Sequence, residues 1–273
     1  MTADATHDEP AYYVPLGESD GWLHLSPTGH TLSVWADTLQ HGGPPSALML
    51  WAIERLGRPP GTAISRIGID ILGAVGLDEN RVRARVLRPG RQISLVGAEL
   101  DVRTATGEFR TAARATAWVL ATGDTAAIAS PSPDFSAPDG PADDRPEQWT
   151  DQGWGDTGFI AAVDVVGVDR PGPTWLRPRY PVVAGEPTGP YANLCCVVDI
   201  ANGLGSSLSA LEWQWMNTDT TIHLQRAPVG DWVGVDAAMV AGPEGYGFTG
   251  ADLHDAHGAI GRSSQTILIQ PRS

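Results

Sequence analysis

The sequence predicts an α+β protein built from two similar units in tandem. Each unit holds one buried helix followed by a long antiparallel meander. Three observations carry this reading. Two apolar stretches, 44–56 and 190–202, begin with Gly-Pro and end at a glycine. Each is followed by several runs that alternate apolar and polar residues, the period of a strand with one buried face. Between the halves, 122–148 is rich in Ala, Pro, Ser, Asp and Gly, with few large apolar residues. The expected organisation is a first unit over 1–121, a linker over 122–148 and a second unit over 149–273.

Taken in order, residues 1 to about 20 are polar and expected to be ordered only in part. Trp22–Thr28 and Leu32–Trp35 read as short strands around a turn at 27–30. The first helix follows, and Pro59-Pro60-Gly61 closes it off. Ile64–Leu72 then alternates, with Ile67, Ile69 and Ile71 on one side. Arg81–Arg88 sets arginine against apolar residues, which makes a half-exposed strand with a cationic outer face. Arg81, Arg83, Arg85, Arg88 and Arg91 read as a solvated sheet face in preference to a phosphate site. Ile93–Arg103 and Phe109–Ala121 complete the first meander, joined by a hairpin at 105–108. In the second half, Phe159–Val165 reads as a strand before the helix. Thr218–Leu224, Trp232–Met239, Tyr246–His254 and Ile260–Gln270 form the returning meander.

The second helix carries one anomaly. Nearly every side chain from Pro190 to Gly203 is small or apolar on all faces, the mark of a buried helix. Asp199 breaks that pattern. A buried carboxylate must be paired, hydrogen-bonded or neutralised. Asp199 either caps a neighbouring loop, aided by Asn202, or does chemistry. Superposing Gly43-Pro44 on Gly189-Pro190 puts Ile53 at the place of Asp199, so the two helices look like copies and only the second carries the acid.

Composition removes several function classes. The formal net charge is −14, which argues against nucleic acid or an anionic membrane as partner. All 18 basic residues are arginine. Without lysine there is no Schiff-base chemistry and no pyridoxal phosphate attachment, and a Walker-type phosphate loop lacks its lysine. The two cysteines, Cys195 and Cys196, are neighbours inside the apolar helix. They point about 100° apart and read as small hydrophobes in a reducing compartment. The apolar runs are too short to span a bilayer, and the acidic, polar N-terminus resembles no signal or transit peptide. A cytoplasmic place is the expectation.

Several strings then resemble one family. His41-Gly42-Gly43-Pro44-Pro45 before the first helix, Leu87-Arg88-Pro89-Gly90-Arg91, Leu95–Leu100, Asp199–Leu204 and Gly261–Thr266 are similar to the double hotdog acyl-CoA thioesterases, over roughly residues 20–270. The resemblance is closest to the thioesterase-like group of actinobacteria. It implies two tandem hotdog units, each a central helix wrapped by an antiparallel sheet. It also implies a catalytic trio of Asp on the second helix, Thr or Ser at the next strand, and Gln on the last strand. Asp199 matches the first and Gln265 the third. By register Asn217 takes the hydroxyl position; a slip of one residue would bring in Thr218 instead.

What the resemblance implies is an acyl-thioester hydrolase acting on acyl-CoA or another acyl thioester, without metal or redox cofactor. Asp199 would take the proton of a water held by Gln265 and by Asn217 or Thr218. His41, Gly42 and Gly43, at the first helix start, would face Asp199 across the seam and bind the substrate carbonyl through backbone N–H groups. The glycines also suit plain turn geometry. Because Asn217 is not a hydroxyl residue, a second reading is a non-hydrolytic protein that binds or cyclises a hydrophobic ligand in secondary metabolism. A hydratase or dehydratase ranks last, since that chemistry expects an Asp and His pair and His41 has no Asp beside it in the sequence. Sheet edges left by such a pair of units allow a homo-oligomer.

Overall fold

The computed structural model describes residues 9–131, 135–140, 144–145, 149, 154, 158–167 and 172–272. The first eight residues and parts of the stretch expected to be a linker lie outside them. Strand order, read across the sheet, is β1-β2-β4-β5-β6-β3-β10-β13-β12-β11-β8-β7. The first half supplies β1 (Tyr13–Ser19), β2 (Trp22–Pro27), β3 (Thr62–Ile71), β4 (Asn80–Arg88), β5 (Ile93–Arg103) and β6 (Phe109–Ala121). The second supplies β7 (Val163–Val166), β8 (Thr174–Pro178), β9 (Trp213–Asn217), β10 (Asp219–Leu224), β11 (Val233–Ala241), β12 (Tyr246–Asp255) and β13 (Gly258–Pro271).

That order is a palindrome. β3 and β10 meet at the centre, antiparallel, with Ile67 opposite Ile222 and Asp70 opposite Asp219. Outward from them β6 matches β13, β5 matches β12 and β4 matches β11. The sequence repeat is thus a spatial repeat about the β3–β10 seam. Among the described residues β9 has no counterpart: it adds to the edge of β13, with Asn217 opposite Ile267 and Trp215 opposite Ile269.

Two helices pack against the sheet and against each other. α1 (Gly43–Arg55) is buried from Gly43 to Ile53 and packs on β4, β5 and β6. Further along come α2 (Gly158–Ala161), α3 (Pro190–Val198) and α4 (Ala201–Leu204). α1 and α3 pack against each other and bury Leu48, Met49, Leu50, Leu194, Cys195, Cys196 and Val197 in one core. Pro44 and Pro190 both sit in the first helical turn, where a missing N–H costs no hydrogen bond.

Four sequence expectations change. The stretch before β2 is anchored: Tyr12 and Tyr13 are fully buried, and their hydroxyls donate to the Ala162 carbonyl and to Gln40 Oε1. Burial of two aromatic rings outweighs the polar composition around them. Leu32–Trp35 is no strand; only Leu32 bridges to Gln40. Phe159–Ala161 is a helical turn, and the strand starts at Val163. The second helix does not run unbroken to Asn202: α3 ends at Val198, Asp199 is its C-cap, and α4 resumes at Ala201.

The arginine-rich strand behaves as read. Arg81 pairs with Asp101, and Arg83 and Arg85 pair with Glu99 on neighbouring β5. Those pairs pull Glu99 below the ordinary carboxylate value, the Arg83 hydrogen bond first among the causes. Arg83, Arg85 and Arg114 share the one Glu99 carboxylate, so this face of the sheet keeps a net positive charge.

Candidate active site

The break between α3 and α4 places Asp199 at the seam. As C-cap it keeps right-handed helical angles, and its side chain turns to the start of α1. Its carboxylate is buried, with 4% of the residue exposed. Asn217, the last residue of β9, donates Nδ2–H to Asp199 Oδ1 at 2.7 Å. His41 Nδ1 lies 2.9 Å from Asp199 Oδ2. Asn202 donates to the Asp199 carbonyl at 3.0 Å and to Asn217 Oδ1 at 3.3 Å, tying α4 to β9.

From Asn217 the chain of polar contacts runs inward. Thr220 Oγ1 lies 3.5 Å from Asn217 Nδ2 and accepts from Gln265 Nε2 at 3.2 Å. Gln265 is fully buried, and its Oε1 has no protein partner. The expected residues therefore divide. Asp199, Asn217, His41 and Gly42 meet directly. Gln265 joins through Thr220, a residue the sequence reading passed over; its only signal was a second hydroxyl two positions after Thr218 on the same strand. Thr218 lines the cavity beside Asp199 but turns its hydroxyl toward Asp219, and it is Asn217 that bonds the Asp199 carboxylate.

The two glycines act by close approach, not by turn geometry. Gly42 has ordinary helical angles, and a Cβ built there would sit 2.8 Å from both Asp199 carboxylate oxygens. A Cβ on Gly43 would overlap the Cys196 carbonyl oxygen and the Phe159 ring. Only glycine lets the seam close.

The Gly43 N–H donates to His41 Nδ1 at 3.3 Å. The same nitrogen lies close to Asp199 Oδ2, a contact that is an ion pair only when the ring is protonated. Phe159 supports the ring, its centroid 4.7 Å away.

Helix α1 also brings a carboxylate to its partner's start, which simple superposition of the helices missed. Glu54, near the end of α1, accepts from the backbone N–H groups of Tyr191 and Ala192 at 3.3 and 3.1 Å. Burial pushes its pKa above 4.5, although those N–H groups and Arg58 pull the other way. Beside it Tyr191 is fully buried, and its hydroxyl accepts from the Ile64 N–H.

Beside Asp199 a cavity of about 470 Å³ opens, lined mainly by apolar groups. Trp35, Pro45, Met49, Ile69, Val75 and Trp215 form its walls, with His41, Gly42, Asp199, Asn202 and Asn217 at one side. Among the described residues no helix is long and apolar enough to cross a membrane.

Two units flanking a shared seam, each a buried helix wrapped by an antiparallel sheet, define a double hotdog protein. The family model of the acyl-CoA thioesterase N-terminal domain matches residues 31–120, and that of the C-terminal domain matches 134–269. The chain belongs to that acyl-CoA thioesterase family. Its fold is similar to the acyl-CoA thioesterase II TesB2 of Mycobacterium marinum, at 14% identity, TM-score 0.60 and 95% coverage of both chains. A hot dog fold protein of unknown function from Alicyclobacillus acidocaldarius gives 14% identity and TM-score 0.59, covering 98% of this chain and 99% of that one. The dehydratase domain of the polyketide PpsC from Mycobacterium tuberculosis is more distant, at 12% identity and TM-score 0.50, covering 97% and 98%. No curated protein matches.

Proposed function

We propose that the chain hydrolyses an acyl thioester, acyl-CoA or a related carrier thioester, with Asp199 as the base. The observation that carries this reading is the Asp199 carboxylate, buried at the wall of an apolar cavity and held by Asn217 and His41. The acyl group lies in the cavity. Asp199 takes a proton from a water as the water oxygen attacks the thioester carbonyl carbon. The carbonyl oxygen becomes an oxyanion, which backbone N–H groups at the start of α1 receive. Collapse breaks the C–S bond, the thiolate takes the proton back from Asp199, and a carboxylic acid and a thiol leave. Asn217 fixes the carboxylate instead of supplying a nucleophile, so a hydroxyl at this position is dispensable. Gln265 acts at one remove, through Thr220.

One observation favours a second reading. His41 and Asp199, from opposite halves, form the Asp and His pair that hydration or dehydration of an acyl thioester would use, though they are far apart in the chain.

Thiol release from a panel of acyl-CoA substrates separates these readings. Hydrolysis predicts thiol release that falls at least about a hundredfold in Asp199→Asn. Unchanged rates in that variant would remove Asp199 from the mechanism. Gain or loss of α,β-unsaturated thioester absorbance without thiol release would select the second reading.

A further inference from the structure

A basin of about 300 Å³ indents the exposed face of the sheet where β4, β5 and β6 run side by side. Strand register explains it. Arg83, Glu99 and Arg114 stand in one row across the three strands. Arg85, Gly97 and Thr116 stand in another row two residues along, on the same face. Gly97 has no side chain, so the middle of that row is open. Leu87 leans over it as one apolar wall: a Cβ on Gly97 would lie 2.7 Å from Leu87 Cδ1. Beyond Thr116, Arg66 of β3 lays its guanidinium over Gly68 and donates to the Thr116 hydroxyl at 3.4 Å.

Three arginines line this basin against one glutamate. Arg83 takes Glu99 Oε2 with two N–H groups, at 2.9 and 2.6 Å. Arg85 and Arg114 are left with Oε1 at 3.4 and 3.9 Å, both longer than a charge-assisted hydrogen bond. Asp70 stands opposite Arg114 on β3 but forms no ion pair with it. Among the described residues Arg85 and Arg114 have no other carboxylate partner, and both are exposed. Their donors are therefore unspent and open to solvent. The second unit's sheet carries the opposite balance: Asp236, Asp252 and Arg262 form one row across β11, β12 and β13. In a chain of net charge −14, a cationic hollow on one unit alone opposes the overall field.

We propose that this basin binds a phosphorylated small molecule, with its phosphoryl group over Gly97 between Arg85 and Arg114 and its organic part against Leu87. Guanidinium N–H pairs match phosphoryl oxygens in geometry and charge. The Thr116 hydroxyl, which accepts from Arg66, keeps its own proton to donate. The volume falls at the small end of small-molecule sites. Read strand by strand, β4 is only a solvated cationic face; the fold adds Arg114 from β6 and the gap at Gly97. The site is distinct from the Asp199 cavity, with which it shares no lining residue, and it stands apart from the thioester reading.

The test titrates pyrophosphate, without added metal, into the full chain by calorimetry. The expected result is binding at one site that weakens at least about tenfold in Arg85→Gln and in Arg114→Gln, the scale of a lost hydrogen bond to a charged group. Glu99→Gln removes the competing negative charge and should tighten binding by about threefold or more. Arg91→Gln, at an exposed arginine outside the basin, controls for diffuse surface charge and should change the affinity by less than about twofold. Absence of binding at about 10 mM pyrophosphate would overturn the site. So would equal weakening in Arg91→Gln and Arg85→Gln, which would make the attraction a property of the whole face. Arg85, Arg91 and Arg114 are exposed, so their substitution leaves the fold intact and the comparison decides.

Discussion

Gly42 and Asp199 touch across the seam: a methyl group on Gly42 would stand 2.8 Å from both carboxylate oxygens. Gly42→Ala must therefore move Asp199 away from Asn217 and His41. The expected outcome is a folded protein whose thiol release drops by about a hundredfold or more, since misplacing a catalytic group by an ångström has that scale of effect. Gly43→Ala differs in kind. Its Cβ meets the Cys196 backbone carbonyl, which cannot swing aside, so chemical denaturation should show a loss of about 1–3 kcal/mol from overpacking.

Asn217 and Gln265 should separate in effect. Asn217→Leu strips Asp199 Oδ1 of its donor and leaves a buried charge with less support, a loss of roughly 1.5–3 kcal/mol for a hydrogen bond to a charged group. Turnover should fall by about ten- to a hundredfold. Gln265→Leu removes a contact to Thr220 only, and its fall should be smaller. Steady-state kinetics on both variants checks the order; a larger effect at Gln265 would reverse the roles proposed for them.

Glu54 ties stability to pH. Burial raises its pKa above 4.5 in the folded chain, so the native state holds that proton more tightly than the unfolded one. Its contribution is present at pH values below 4.5 and is lost as pH climbs through the raised value. Glu54→Gln does not titrate. Its stability relative to the natural chain should rise as pH increases from 4 toward neutrality, read by denaturation midpoints at several pH values.

The cysteines should be inert. Cys195 and Cys196 are buried, and burial pushes both thiols up, Cys195 with further help from Glu54. A thiol reagent at neutral pH should label neither in the native protein and both once it is unfolded. Fast labelling of the folded chain would mean that α3 opens readily.

Much of the architecture was legible because it is local. Turn residues at 89–91 and 105–108 bound Ile93–Arg103 and Phe109–Ala121, and those bounds reappear unchanged in the fold. β9 was not legible. Trp213 and Met216 are large apolar residues left exposed, so the run does not alternate as a half-buried strand should. It becomes a strand by borrowing the free edge of β13.

By itself, then, the sequence determined two repeated units, the bounds of most strands, one acid out of place in an apolar helix and a pair of glycines ahead of the other. Periodicity and composition encode burial, and burial sets these. Only the tertiary structure decided that Asp199 at its helix end faces His41, that Asn217 and not Thr218 reaches it, that Thr220 carries Gln265 into contact, and that Glu54 caps the opposite helix. Each of those pairings joins residues on different elements, and a one-dimensional pattern records which side of a segment is buried but not what lies against it.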